Sequence, residues 1–445
     1  MATAEAERLA EVEPALPPGY RWPVPLATLI WYRDPIGVMR RGRERYGDMF
    51  RLRIAYEGTW ILLADPDDVR AALTAHPHRA HAGEANVVLT PVVGPHSVLL
   101  LDEEAHMEQR KLLLPPFHGQ RMKGYEELMM VAARREIERW PTGETLESLP
   151  SMQAITLEVM LRAVFGFESD AELVEASATL RRMLAWTVDP RFLLPAIALG
   201  PRRLPRLRPF RRVFEPTDEL LYRAIRRHRE LPDLEQREDI LSLLVQARHE
   251  SGEPMSDAEI RDELVTLLIA GHETTATALA WTLERLVRHP DKLARLREEV
   301  AAGEEAYLEA VIKESLRMRP PAALVLRRLT EPMEIGGRML PAGVSLAPCI
   351  YLVHHREDIY PEPDRFRPER FLESPPGTYT WIPFGGGVRR CIGAAFAEFE
   401  MKAVLRALVE KVELRPEHGA GEPVGRRAIV LIPKRGGRVA VERAA

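Results

Sequence analysis

Cys391 lies in a glycine-rich segment, residues 384–393, that also carries Arg389 and Arg390. Glycine permits close backbone approach and conformations that a Cβ atom forbids, so amide groups can point at a sulfur atom. Arg389 supplies positive charge, and a helix that begins just after Cys391 would add the positive end of its dipole. These residue types around one cysteine indicate a thiolate that binds a metal ion.

Other kinds of site do not fit the same residues. The glycines lack the spacing and the downstream acidic residue of a dinucleotide site, and no Gly-Lys-Ser or Gly-Lys-Thr phosphate loop occurs. Cys391 has no Cys-x-x-Cys partner for structural zinc. His272-Glu273 begins like a zinc-protease motif, but Ala276 stands where the second histidine is required.

A long helix is predicted to begin at Ser256, which has capping-box spacing to Glu259, and to end at His289-Pro290. It would have about 34 residues and a length of roughly 50 Å. Its apolar centre changes abruptly to the polar segment 270–275, where glycine and two consecutive threonines are weak helix formers. Such a segment is either a functional site or a polar patch that the helix tolerates.

The composition is that of a large globular protein: 445 residues, 46% of them hydrophobic, with a formal net charge of −4. This charge balance does not favour nucleic acid as a partner. With two cysteines a disulfide framework is not expected, and Cys349 is predicted to be an ordinary buried residue. No secretory signal and no apolar run of transmembrane length is found. We therefore expect a cytoplasmic protein without a transmembrane anchor.

The elements that must position these residues are mostly helices. A hairpin is predicted from the segments 49–54 and 60–64, and a second strand-rich stretch from 324 to 346. Most of the remaining chain has helical periodicity, and no repeat or linker divides it. The fold class is therefore mainly α with a small β component, in one domain over residues 1–445 whose first ~20 residues are an extended segment.

Five segments in the same order along the chain resemble those of the cytochrome P450 superfamily. The Phe-x-x-Gly-x-Arg-x-Cys-x-Gly spacing of residues 384–393 is similar to the family's heme-binding loop. The segment 270–275 resembles the oxygen-activating part of its long distal helix, and 106–110 resembles the helix that holds the heme propionates. Residues 314–317 resemble its Glu-x-x-Arg helix, and 366–371 resemble the segment that completes a structural triad with it.

The resemblance implies the P450 fold, with the long central helix over a heme b whose iron is bound by the Cys391 thiolate. By the resemblance, the other residues that contact the heme are His106, Arg110, Ala270, Gly271, Arg327, Phe384, Arg389 and Gly393. The basic residues among them would pair with the two propionates, because buried carboxylates need partners. Arg327 is preferred to Arg328 because its spacing to Gly336 fits the family better.

Two residues of the distal helix are implied to be catalytic. Glu273 is a proton source, and the hydroxyl of Thr274 both donates and accepts, so the pair would deliver protons to dioxygen. Glu314, Arg317 and Arg370 are instead expected to form a buried structural charge network.

The implied reaction is insertion of one oxygen atom of O2 into an unactivated C–H bond, with the other leaving as water. Electrons are expected from a separate ferredoxin or flavodoxin with its NAD(P)H reductase, and the enzyme is expected to be a monomer. The segments 82–101 and 112–119 resemble a soluble bacterial branch whose members often act on fatty acids, alkanes or terpenes. A small apolar substrate, a fatty acid or a terpenoid, is therefore predicted.

Alternatives remain open for the function. One is a tailoring oxidase for polyketides or other natural products. Another is a heme-thiolate enzyme driven directly by peroxide, against which the Glu273-Thr274 pair argues. A third is a non-catalytic heme sensor, which turnover of any substrate would dismiss.

Two basic regions have open roles. The arginine-rich stretch 202–212 is either a solvated surface or a contact for an anionic lipid or a carboxylate substrate. A proximal patch that could receive an acidic redox partner is predicted from four residues: Lys111, Arg121, Lys123 and Arg390.

Overall fold

The computed structural model describes residues 15–117, 121–167, 169–187, 189, 201–417 and 419–443, with the side chains of a few of these excepted. Most of these residues are helical, and the strands form small sheets. The mainly α fold with a small β component is therefore confirmed. None of the described helices is both long and apolar enough to cross a membrane.

The described helices are, in chain order, α1 (Val24–Arg33), α2 (Pro35–Tyr46), α3 (Pro66–Leu73), α4 (Ala82–Ala85), α5 (Thr90–Val93), α6 (Glu103–Leu113), α7 (Arg121–Ile137), α8 (Ser148–Phe165), α9 (Asp170–Thr187), α10 (Arg208–Arg229), α11 (Ile240–Gln246), α12 (Asp257–Val287), α13 (Pro290–Ala302), α14 (Ala306–Met318), α15 (Ile350–His354), α16 (Arg370–Glu373) and α17 (Ala394–Lys411).

The strands are β1 (Met49–Ile54), β2 (Gly58–Leu63), β3 (Ala80–His81), β4 (Thr145–Glu147), β5 (Arg327–Leu329), β6 (Met333–Ile335), β7 (Arg338–Leu340), β8 (Ser345–Pro348), β9 (Val412–Pro416), β10 (Val424–Arg427), β11 (Val430–Pro433) and β12 (Arg438–Arg443).

The long helix α12 forms because its start is capped and its body is buried. Ser256 and Glu259 make the predicted reciprocal capping box. The helix has 31 residues and ends before Pro290, which begins α13. It packs along α8 and also contacts α10, α14 and α17, so it crosses the helical body. A helix surrounded in this way can hold a site at its middle.

The largest sheet has the strand order β1-β2-β8-β5-β3. The predicted hairpin is confirmed as an antiparallel pair in which Met49 faces Leu63 and Ile54 faces Gly58. The predicted strand-rich stretch supplies β5 to β8, and β2 pairs with β8 in parallel. This sheet matters for the site because it joins β5 to the short strand β3, with Ala80 opposite Leu329.

The adjacent histidines His354 and His355 lie at the end of α15. Each ring is bonded within the protein, His354 Nδ1 to the carbonyl of Arg317 and His355 Nδ1 to that of Tyr351. Residues 1–14 of the predicted extended N-terminus lie outside the described residues, while residues 15–23 precede α1 without regular structure.

Candidate active site

Cys391 follows a tight turn that requires glycine. Gly385 and Gly387 have φ angles of 68° and 65°, which residues with a side chain rarely adopt. A Cβ on Gly387 would also lie 2.0 Å from the carbonyl oxygen of Leu73. The Cys391 amide donates to the Phe384 carbonyl at 3.0 Å. The turn therefore fixes the cysteine just before α17 begins.

The thiol of Cys391 remains accessible, whereas Cys349 is buried. The surrounding protein nevertheless desolvates the thiol and raises its pKa, and the Gly393 amide and the charges of Arg110 and Arg390 offset this only in part. A metal ion would reverse the balance, because a coordinating thiol is deprotonated outright.

Basic side chains from α6, β5 and the loop before Cys391 form a buried cluster: His106, Arg110, Arg327 and Arg389. Burial, together with the charges of the three arginines, lowers the pKa of His106 to about 3. Burial also lowers the pKa of Arg327 and that of Arg389 to about 10. Among the described residues, one carboxylate forms an ion pair with this cluster: Asp102, which lies 2.5 Å from Arg389.

The charge of the cluster fits a cofactor with two carboxylates. Three guanidinium groups face a single carboxylate, and buried charges require compensation. The two propionates of heme b would supply this compensation, because guanidinium groups can bind carboxylates through two hydrogen bonds each. Arg327 lies inside the cluster, whereas Arg328 is more exposed and lies 3.9 Å from Glu84. A side chain built on Gly393 would meet no atom within 4 Å, so space is open beside Cys391.

The middle of α12 faces open space although the helix is otherwise buried. Ala270 is exposed, Gly271 and Thr274 are partly exposed, and Leu268 and Thr275 on either side are buried. The Thr274 hydroxyl donates to the Ala270 carbonyl, the kind of bond by which threonine bends a helix. This places a hydroxyl and an accessible stretch of backbone together on one face.

The side chain of Glu273 binds different groups from those that Thr274 binds. Its Oε2 accepts a hydrogen bond of 2.7 Å from Gln153 on α8, and its Oε1 lies 3.6 Å from Arg427 on β10. The two residues predicted to act together are thus adjacent in sequence, but their polar atoms bind different groups in this conformation. His272, between α12 and α8, is buried and bonded to Thr156 at 2.8 Å.

Three side chains from little more than one turn of α12 bind the loop before α6. Asp262 accepts from the backbone amide of His96 at 3.0 Å, Glu263 accepts from that of Val98 at 2.7 Å, and Thr266 donates to Ser97 at 2.8 Å. A cleft of about 510 Å³ lies beside this loop, between it and α10. The loop that borders the site is therefore held by polar side chains of the helix that carries Thr274.

Glu314, Arg317 and Arg370 form the expected buried network. Arg317 donates to both carboxylate oxygens of Glu314, at 2.7 and 3.0 Å, and Arg370 donates to the same carboxylate at 3.2 Å. The arginines also donate to backbone carbonyls, including that of Pro363. The network ties α14 to α16 and lies apart from the basic cluster, so its role is structural.

The predicted proximal patch is only partly described. Arg390 is exposed, and Lys111 is paired with Glu250 at 2.7 Å. The side chains of Arg121 and Lys123 lie outside the described residues. The arginine-rich stretch forms a short 3-10 turn (Pro201–Arg206) and the start of α10. Its exposed side chains are Arg203, Arg206, Arg208, Arg211 and Arg212, while that of Arg202 is not described.

Sequence reasoning missed the groups that hold the site residues. Asp102, Gln153 and Arg427 come from distant segments, and no local pattern marks them. The role of Glu263 could have been predicted, because Glu263 and Asp262 directly precede an apolar run of α12. Two acidic residues next to a buried helical stretch indicate partners that compensate them.

Comparison with known proteins gives consistent results. A family model described as cytochrome P450 matches residues 16–440. Cytochrome P450 135B1 of Mycobacterium tuberculosis is 40% identical over 436 residues, which cover 96% of this chain and 91% of the relative. Cytochrome P450 138 of Mycobacterium bovis is 39% identical over 432 residues, or 96% of each chain.

A solved structure is also similar. It is that of a cyanobacterial protein, CYP120A1, with retinoic acid bound. The match has a TM-score of 0.84 and 25% sequence identity, and it covers 97% of this chain and all of that one.

Proposed function

The chain belongs to the cytochrome P450 family, and from this premise we propose that it hydroxylates or epoxidises an apolar small molecule, a fatty acid or a terpenoid. As a member of the family it is a heme-thiolate monooxygenase and binds heme b. When bound, the heme supplies the activation of O2 that puts one oxygen atom into the substrate and releases the other as water. The finer assignments below are the proposal.

Cys391 holds the heme iron in this proposal, and the cluster around His106 holds the propionates. The carrying observation is that cluster: one buried and two partly buried guanidinium groups, from Arg327, Arg110 and Arg389, with one carboxylate partner, Asp102, beside an accessible cysteine. Its positive charge has no adequate compensation within the described protein, and two carboxylates provide it.

Thr274 and Glu273 are proposed to hold and move protons on the other side. The Thr274 hydroxyl donates to the Ala270 carbonyl, and rotation about its χ1 angle would redirect it into the open space. Glu273 accepts from Gln153 and would have to leave that partner to transfer a proton towards Thr274. A side chain on Gly271 would point at Met160 on α8, 3.0 Å from its sulfur, so glycine at this position lets α8 and α12 pack closely behind the open face.

An apolar substrate is supported by the residues that face the open side of α12. Leu267 is partly exposed and lies one turn before Ala270, on the same face of the helix. The cyanobacterial neighbour binds retinoic acid, an isoprenoid chain that ends in a carboxylate. Such a ligand shares its chemistry with both proposed substrate classes, and a largely apolar pocket with few polar groups suits it.

P450 enzymes use redox partners, and for this chain we propose a separate ferredoxin or flavodoxin with an NAD(P)H reductase. Arg390 supports the proposal because it is exposed on the side of the loop that carries Cys391. A positive residue at that position would attract an acidic partner.

The first experiment is a titration of the purified ferric holoenzyme with saturated fatty acids and then with sesquiterpenes, following the heme Soret band. A saturable change from low to high spin with one class would support the proposed substrate. Absence of a change with both classes would contradict it, and larger natural products would then be tested. Product formation with labelled O2 and NAD(P)H-driven partners would separate monooxygenation from peroxide-driven turnover.

A further inference from the structure

A surface cluster of imidazole and carboxylate groups lies at the start of α6, outside the site described above. Nδ1 of His78 lies 2.7 Å from an oxygen of Glu103, and its Nε2 lies 3.4 Å from an oxygen of Glu104. One ligand atom from each of these three residues lies within 4.8 Å of the other two. The other oxygen of Glu103 is 2.8 Å from Nε2 of His81.

The charge of this cluster favours a cation. In the described part of the chain neither Glu103 nor Glu104 has a lysine or arginine partner, and their ion pairs are to histidines alone. Glu84 adds a further carboxylate, bonded to His81 at 2.9 Å. When the histidines are neutral, this surface carries an excess of negative charge that a divalent ion would neutralise.

The donor types and distances select the kind of ion. An imidazole with two carboxylates is a ligand set for a first-row transition metal, whereas Mg²⁺ and Ca²⁺ prefer oxygen alone. Metal–ligand bonds of about 2.0–2.2 Å in a tetrahedron separate ligand atoms by roughly 3.4 Å. One ligand atom from each residue lies within 4.8 Å of the other two, so a shift of the side chains is needed to reach this separation. His78 and Glu104 are 51% and 83% exposed, and their side chains can make that shift.

We propose that His78, Glu103 and Glu104 bind a Zn²⁺ ion, with water completing the coordination. His81 is an outer partner that orients the Glu103 carboxylate by donating to its second oxygen.

A metal ion at this position would link two separate segments of the chain. Glu103 and Glu104 begin α6, the helix that carries His106 and Arg110. His78 precedes β3, which pairs with β5, the strand that begins at Arg327. A metal ion at this point would join α6, which carries two residues of the basic cluster, to the segment before β3, which pairs with the strand of a third. The inference goes beyond the proposed function and does not depend on the substrate.

The test is calorimetric titration of the holoenzyme with Zn²⁺ alone in a non-chelating buffer at neutral pH. We expect one saturable site, a rise in melting temperature with Zn²⁺, and at least tenfold weaker binding in Glu103→Gln and in Glu104→Gln. Glu104 is mostly exposed, so its variant should fold. His96→Gln is the matched control, since His96 is another half-exposed histidine paired with a carboxylate, Asp262; its Zn²⁺ affinity should equal that of the parent.

Several outcomes would overturn the proposal. Absence of saturable binding would do so, as would undiminished affinity in both glutamate variants or binding that is lost in the His96 control. Equal affinity for Mg²⁺ would show a site that does not use the imidazole and would also contradict it. None of these results depends on catalytic activity.

Discussion

Oε1 of Glu263 accepts hydrogen bonds from the backbone amide of Val98, at 2.7 Å, and from the side chain of Gln109, at 3.0 Å. The second carboxyl oxygen is buried without a partner in the described structure. Burial raises the pKa of Glu263 to about 8, although both bonds oppose the rise, and the charges of Asp262 and Glu259 add to it. The acid that joins α12 to the neighbouring loop is thus protonated at neutral pH.

The first prediction is that Glu263 makes folding less favourable as the pH rises. Between its unfolded pKa of about 4.3 and about 8, the folded chain holds a proton that the unfolded chain has lost. The free energy of unfolding therefore falls with pH across this window. Glu263→Gln imitates the protonated acid and removes this fall, so the variant should gain on the order of 1–3 kcal/mol relative to the parent between pH 5 and pH 8.

Melting temperatures of the two holoenzymes at pH 5 and pH 8 measure this difference. Glu298→Gln, at an exposed position on α13, is the control and should follow the parent at both pH values. Parallel pH profiles for Glu263→Gln and the parent would show that Glu263 does not bind the proton.

A second prediction concerns the buried network of Glu314. Glu314→Gln leaves the guanidinium groups of Arg317 and Arg370 without their shared anion, and an uncompensated buried charge costs roughly 3–5 kcal/mol. Urea denaturation should therefore show a loss of this size. Glu309→Gln on the same helix removes a partner of Lys402 and Lys313 at a half-exposed site, for which at most about 1 kcal/mol is expected. Equal losses in the two variants would refute a special role for the network.

Much of the fold was readable from the sequence because local chemistry determined it. The capping box at Ser256, the hairpin 49–54 with its partner strand, and the strand-rich stretch before residue 346 all agree with the structure. The helix α15 was not predicted, and its residues 350–353 are buried in the core while His354 bonds to the carbonyl of Arg317. Tertiary contacts of this kind leave no local pattern.

The site was predictable where a residue type is rare and unpredictable where a common residue acts through a distant partner. Cys391 and the glycines before it stand out in any reading of the chain. Asp102, which neutralises Arg389, and Gln153, which binds Glu273, are ordinary polar residues until the fold brings the segments together.

The third prediction is that Cys391→Ser loses monooxygenation and the thiolate signature in the spectrum of the reduced, carbon monoxide-treated protein. A hydroxyl does not ionise as a thiol does, so the axial ligand loses its electron donation. Cys349→Ala is the control, because Cys349 is fully buried just after β8 and its thiol bonds to the carbonyl of Ala347. It should keep the signature, and a full signature in Cys391→Ser would remove Cys391 from the role proposed here.

Thr274→Ala should keep heme and substrate binding while diverting electrons from product to peroxide or water. The variant loses the hydroxyl that now donates to Ala270 and that is proposed to hold a proton on the open side. The ratio of product formed to NAD(P)H consumed should fall severalfold, and peroxide release should rise. Both are measured in the same reaction. Thr282→Ala removes the same kind of bond, to Ala278 on the same helix, and should leave this fraction unchanged. Full coupling in Thr274→Ala would exclude Thr274 from proton transfer.

The last prediction separates Arg390 from Lys111 in the docking of the redox partner. Lys111 is already neutralised by Glu250 at 2.7 Å, so Lys111→Gln should change the rate of reduction by an acidic ferredoxin by less than about twofold. Arg390 is exposed beside Cys391, and Arg390→Gln should slow reduction severalfold at low salt and reduce its dependence on ionic strength. Stopped-flow reduction over a range of salt concentrations measures both effects. A slower rate with an unchanged salt slope would mean that Arg390 acts on the heme ligand through its charge near Cys391, and not on the partner.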